Sequence, residues 1–118
     1  MDPNLKLDEW GGRTVDIVID RPRGSTHPRS PDMVYPVNYG YVPGTMAPDG
    51  HPIDVYVLGV DHPLMQCSVK VIAAIRRRDD VEDKIVAAVS GEWNRASIEE
   101  ATAFQEHWFD SWVELPGA

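Results

Sequence analysis

Residues 47–57 read APDGHPIDVYV, which sets Asp49 and Asp54 on either side of Gly50 and Pro52, with His51 between them. A tight turn uses Asp, Gly and Pro for their backbone preferences. It needs neither a second carboxylate where the next strand begins nor an imidazole aimed into the gap. A second acidic group, Asp79, Asp80, Glu82 and Asp83, lies further along the chain. Two such groups on adjacent loop ends would cradle a hard divalent cation, because Mg²⁺ takes oxygen ligands and needs few of them from protein. A Pro-Asp-Gly turn and a solvated hairpin tip account for the same residues, and spacing alone favours that plainer account.

The basic residues admit the same pair of readings. Arg29, and Lys84 straight after the second acidic group, suit the neutralisation of phosphoryl oxygens in metal-assisted phosphoryl transfer. Surface solubility is the alternative, and for the triplet Arg76, Arg77 and Arg78 it is the better one. In YPVNYGY, residues Tyr35, Tyr39 and Tyr41 read as core and barrel-rim aromatics, although a phenol also donates to a phosphate oxygen. His27, His62 and His107 join no constellation, and Ser25 lacks a nucleophile-elbow context. Cys67 is the sole cysteine, which excludes an internal disulfide and leaves a core or strand-edge thiol.

These side chains need a scaffold, and 118 residues supply a single domain, 1–118, with one modest core. A composition of 42% hydrophobic and 25% charged residues excludes a disordered chain. Runs such as VIAAI are far too short to span a bilayer. The N-terminal MDPNLKLDEW has neither a basic n-region nor an apolar h-region, so no secretion signal and no membrane partner are expected. The lone thiol suits a reducing, cytoplasmic setting. A net charge of −8 argues against binding a nucleic-acid backbone, but it is compatible with a local anion site bridged by a divalent cation.

RTVDIVID alternates Val15, Ile17 and Ile19 against polar neighbours and reads as a half-buried strand. From Arg21 to Pro48 the chain is dense in Pro and Gly, so loops are expected there, with a short strand near Tyr39 to Val42. DVYVLG, SVKVIAAI and KIVAAV are β-rich, the last two flanking RRRDDVED as a hairpin or neighbouring pair. SIEE offers a capping box, with Ser97 as N-cap and Glu100 reaching back. Ile98, Ala101, Phe104, Trp108 and Trp112 follow at helical spacing, which predicts one apolar stripe covering the barrel. His107 falls near the polar side of that helix. The expected fold is mainly β, a small barrel closed by a C-terminal amphipathic helix.

The stretch YPVNYGYVPGTMAPDGHPIDVYVLG resembles the soluble inorganic pyrophosphatases. That family carries Tyr-Pro-x-Asn-Tyr-Gly-Tyr, a short loop, then Asp-Gly-Asp-Pro-hydrophobic-Asp leading into a strand. Tyr35 to Tyr41 match the first part, and Asp49, Gly50, Pro52 and Asp54 the second. VIAAIRRRDDVEDKIVAA and ATAFQEHWF continue the similarity, so the chain can be placed from about Val15 to Phe109. The resemblance implies a five-stranded OB-like barrel and an Mg²⁺-dependent site that hydrolyses diphosphate to two phosphates. Asp49, Asp54, Asp80, Glu82 and Asp83 would be metal ligands. Arg29, Tyr39 and Lys84 would contact the small phosphate substrate, and Asp20 takes the place of an outer-rim acid after the first strand.

Three departures accompany it. The family's middle Asp is His51 here, which makes an imidazole the candidate proton acceptor beside Lys84. The stretch between Arg29 and Tyr35 is too short for the family's hairpin, with its Lys-x-Glu and later Asp-Arg. Trp108 and Phe109 stand where the family shows Tyr-Lys. The expected function is hydrolysis of inorganic diphosphate. The alternatives are a catalytically weak homologue that binds metal or phosphate ligands, or a hydrolase of another phosphoanhydride. The family's habit favours homo-oligomers.

Overall fold

The computed structural model describes residues 7–47, 50–78 and 83–117, with Asp8 described through its backbone alone. After a single helical turn, α1 (Leu7–Trp10), the chain forms β1 (Thr14–Arg21), β2 (Thr26–His27), β3 (Ser30–Val34) and β4 (Asn38–Tyr41). It continues through β5 (Asp54–Leu58), β6 (Gln66–Arg77), β7 (Lys84–Ala88), α2 (Arg95–Glu106) and β8 (Ser111–Glu114). The main sheet runs β1-β4-β5-β7-β6-β8, and β1 also pairs with the first half of β6. Five strands therefore close into a barrel, as expected, and β8 extends it along the far half of β6. Among the described residues no helix is long and apolar enough to cross a membrane.

At β5 and β7 the sheet is buried on both faces, which explains why these strands read as unbroken apolar runs rather than alternations. Val15, Ile17, Val55, Val57, Val69, Ile85 and Ala87 fill the barrel interior. Their sequence neighbours Tyr56, Leu58, Val86 and Ala88 point outward, where Ile98 of α2 and Val113 of β8 cover them. A register shift between Val71 and Ala73 bends the long β6, so one strand serves both the closure with β1 and the pairing with β7. Close approach of β1 and β4 depends on Gly40, where a Cβ would sit 1.9 Å from the carbonyl oxygen of Val18.

Three local expectations change. The loop-rich segment also holds a minimal hairpin, β2 with β3, which pairs Thr26 with Val34 and His27 with Ser30. The helix begins earlier than expected, at Arg95. Asn94 is its N-cap, accepting from Ser97 N, while Ser97 Oγ accepts in return from Asn94 N. The Ser97–Glu100 box is therefore displaced by one three residues upstream, because Ser97 answers Asn94 as the reciprocal partner. The apolar stripe also ends sooner: α2 stops at Glu106, Trp108 is 71% exposed, and Trp112 belongs to β8. Trp108 and Trp112 continue the helical spacing by coincidence, since Ser111–Glu114 finds strand partners on β6 instead.

Candidate functional site

β5 and β7 run parallel with Val55 opposite Ile85, so the residues that open these strands, Asp54 and Lys84, emerge side by side. Alternation then directs both to the outer face shared by Tyr56 and Val86, not to the barrel interior. Lys84 Nζ donates to Asp54 Oδ2 at 2.8 Å and to the Tyr39 hydroxyl at 2.7 Å. Tyr39 reaches this point from β4, where it pairs with Tyr56 across the ladder. Ion pair and phenol thus come from three adjacent strands, and their spacing is set by strand register.

This trio forms part of the wall of a cavity of about 670 Å³. Asp20 and Arg21 come from the end of β1, His27, Arg29, Ser30 and Met33 from the β2–β3 hairpin, and Gln105, Trp108 and Phe109 from the end of α2 and beyond. Partial burial raises the Asp20 carboxyl above its ordinary value. Arg21 opposes that rise, and the negative charge of Asp54 adds to it. Arg29 is exposed on the cavity rim, where its backbone N–H donates to His27 Nδ1 at 3.0 Å.

A buried polar chain backs the cavity. Arg77 Nε and Nη2 donate to the two carboxylate oxygens of Glu106 at 3.0 and 2.7 Å, and the guanidinium lies 3.6 Å from the centre of the Phe109 ring. The Tyr56 hydroxyl donates to Glu106 at 2.5 Å and accepts from Gln105 Nε2 at 2.7 Å. The Tyr35 hydroxyl donates to Gln105 Oε1 at 3.0 Å. Burial alone would raise the Glu106 carboxyl, but the hydrogen bonds from Arg77 and Tyr56 and the Arg77 charge outweigh it and hold the group below its ordinary value. Burial is also what raises the Tyr56 phenol well above 10.0, with the charge of Glu106 adding to it.

Of the candidate site residues, Asp54, Lys84, Tyr39 and Arg29 meet on one cavity wall, joined by Asp20. Asp83 does not meet them: it accepts from Arg76 Nη1 at 2.7 Å, and Arg76 Nε donates in turn to Glu114. His51 is exposed and is not part of the cavity wall. Asp49, Asp80 and Glu82 lie outside the described residues. His27, Arg77 and Trp108 line the cavity although sequence reasoning assigned them no part in a site: Trp108 was expected in the stripe that covers the barrel and Arg77 at the surface. Alternation carries the signal for Arg77, which lies two places past buried Ile75 on the outer face that α2 covers, so one arginine of the triplet is buried there.

A hard cation fits the donors on this wall. Asp20 and Asp54 offer carboxylate oxygens, and each raises the cost of the other's charge. Among the described residues no group of three or more His, Cys, Asp or Glu side chains forms a cage.

The family model for inorganic pyrophosphatase matches residues 17–114. The inorganic pyrophosphatase of Saccharolobus solfataricus is 48% identical over 61 residues, covering 48% of this chain and 35% of that protein. That of Xylella fastidiosa is 32% identical over 114 residues, covering 75% of this chain and 61% of its own length. The chain thus spans about a third to three fifths of these relatives. A crystal structure of inorganic pyrophosphatase from Ehrlichia chaffeensis superposes with a TM-score of 0.68 at 18% identity, covering 90% of both chains, which is a likeness of fold.

Proposed function

Because the chain belongs to the inorganic pyrophosphatase family, we propose that it is an Mg²⁺-dependent phosphohydrolase that converts inorganic diphosphate to two phosphates. The observation that carries this reading is the Asp54–Lys84–Tyr39 cluster, built from three registered strands into a cavity flanked by Asp20, Arg21 and Arg29. Asp20 and Asp54 would hold the cation among the described residues. When bound, Mg²⁺ supplies charge neutralisation and a bound water of lowered pKa.

The protein's own groups do the rest. Lys84 is fixed by two acceptors, so its ammonium needs no reorganisation to face negative charge that develops on a phosphoryl oxygen. Arg29 and Arg21 border the same space from separate elements and extend the positive field across a second phosphoryl group. Tyr39 accepts from Lys84, and a phenol also donates through its own proton. The test is phosphate release from diphosphate with and without Mg²⁺, in wild type and in Lys84→Met. Release that requires the cation and falls in Lys84→Met supports the reading. Absence of release at any Mg²⁺ concentration refutes it.

One observation favours a second reading, a homologue that binds its ligands but turns them over slowly. The residue at the centre of the acidic turn, His51, is exposed and does not line the cavity. In that case diphosphate binds with ordinary affinity while release stays at background.

A further inference from the structure

The cavity is larger than two phosphoryl groups require, and its far side changes character. Past the charged wall lies a second hollow of about 490 Å³, which shares Ser30, Met33 and Trp108 with the first and adds Val34, Phe104 and His107. Each is of a size that holds an organic ligand or a large part of one. Trp108 stands between them, 71% exposed, on the last turn beyond α2. Trp108 and Val34, both exposed, line this second hollow and make an apolar patch beside the charged cavity, the kind of patch that marks a binding site.

Trp108 packs against its sequence neighbour. Its ring lies 4.4 Å from that of His107, centre to centre, and the His107 Nδ1–H donates to the Ala103 carbonyl one helical turn back. Phe104 is anchored against Tyr35 and Tyr56 at 5.2 and 5.9 Å. Met33, half-buried and polarisable, faces them from the hairpin. An exposed aromatic plate, a soft thioether and an apolar floor form the kind of surface on which a nucleobase stacks, and stacking of this kind is indifferent to base identity.

We propose that this cavity binds a diphosphate that carries an aromatic base, as a nucleoside diphosphate does: the phosphates lie against Lys84, Arg21 and Arg29, and the base stacks on Trp108 over Met33 and Phe104. The proposal rests on the phosphate-site reading given above and adds the group attached to the phosphates. The hollows adjoin at Ser30, Met33 and Trp108, and a ligand that is anionic at one end and flat and apolar at the other complements both. Asp32 on the apolar side disfavours a second anionic group there, so the charged end is the cationic wall.

Two non-hydrolysable ligands that share a diphosphonate and differ only by a nucleoside separate the parts: methylenediphosphonate and α,β-methylene-ADP, titrated calorimetrically with Mg²⁺ into wild type, Trp108→Phe and Trp108→Ala. The nucleoside ligand binds wild type about tenfold or more tightly than the bare diphosphonate, the scale of one base–aromatic stack. That ratio shrinks in Trp108→Phe and falls close to one in Trp108→Ala. Equal affinities in wild type, or a ratio that survives Trp108→Ala, overturn the base subsite while leaving the phosphate site standing. Failure of both ligands to bind overturns the phosphate site and this proposal with it. A Trp108→Ala variant that turns an oligomer into a monomer without altering the ratio assigns the indole to self-association and refutes the proposal.

Discussion

Lys84 and Asp54 form an ion pair of 2.8 Å in which the cation is the buried partner: the lysine side chain is 3% exposed and the carboxylate 26%. The asymmetry matters, because a buried ammonium deprived of its counter-charge bears the full desolvation cost, whereas a half-wetted carboxylate does not.

Asp54→Asn therefore costs stability as well as any metal affinity, about 1–3 kcal/mol by urea unfolding. Nothing in the sequence signals that Lys84 depends on Asp54. Adding Lys84→Met to Asp54→Asn recovers part of the loss, because the buried ammonium that has lost the Asp54 charge is then gone. A double variant no more stable than Asp54→Asn alone contradicts this dependence.

Covering of the outer face rests on Ile98 rather than on the tryptophans. Ile98 is fully buried against Tyr56, Ile75 and Val86, so Ile98→Ala costs about 2–5 kcal/mol. Trp108→Ala stays within about 0.5 kcal/mol of wild type, as expected of an exposed side chain. Chemical denaturation of both variants checks the pair of values together.

Acid unfolding reports on Glu106. Its folded-state pKa lies below the ordinary 4.5, so its contribution is complete at pH values above 4.5 and is lost as the pH falls through the lower folded value. The stability gap between wild type and Glu106→Gln is therefore greatest near neutrality and narrows below about pH 4.5. Urea titrations from about pH 6 to about pH 3 measure that gap directly. A gap that is constant with pH shows that Glu106 does not act through its charge.

His51→Asp restores an oxygen ligand at the centre of the acidic turn, and Mg²⁺ prefers oxygen to imidazole nitrogen. Mg²⁺-dependent phosphate release from diphosphate rises by at least about tenfold, the scale on which groups around a bound metal affect activity. An unchanged rate assigns His51 to the solvent-facing turn.

How much of this was legible beforehand differs by element. β1 and the paired β6 and β7 follow from residue alternation and β-branched content, because their burial is dictated by what lies directly opposite. The barrel itself was expected, and Tyr39, Asp54 and Lys84 were named together on the strength of the pyrophosphatase resemblance. Their meeting point depends on the parallel register of β5 and β7, which no local pattern encodes. Arg77 was assigned to solvent because a triplet of arginines is usually a wetted face, while Glu106, Tyr56 and Phe109 reach it from distant parts of the chain. The end of α2 was misplaced for a related reason: a helical period can run on in sequence after the backbone has found a strand partner.

The β2–β3 hairpin pairs with no strand of the barrel, and a two-stranded ribbon on its own is marginal in water. It nevertheless carries Arg29, Ser30 and Met33, whereas Asp54, Lys84 and Tyr39 stand on the closed sheet. One rim of the cavity can therefore breathe while the other holds still, hinged where the ribbon's last bonds, Gly24 N–H to the Tyr35 carbonyl and Tyr35 N–H to that of Ser25, meet the buried Tyr35. Amide exchange should be fast along 26–34 and slow along 54–58, and a bound ligand should retard only the former. Ligands of different bulk are then admitted at the expense of a weak ribbon, and the barrel is not asked to yield.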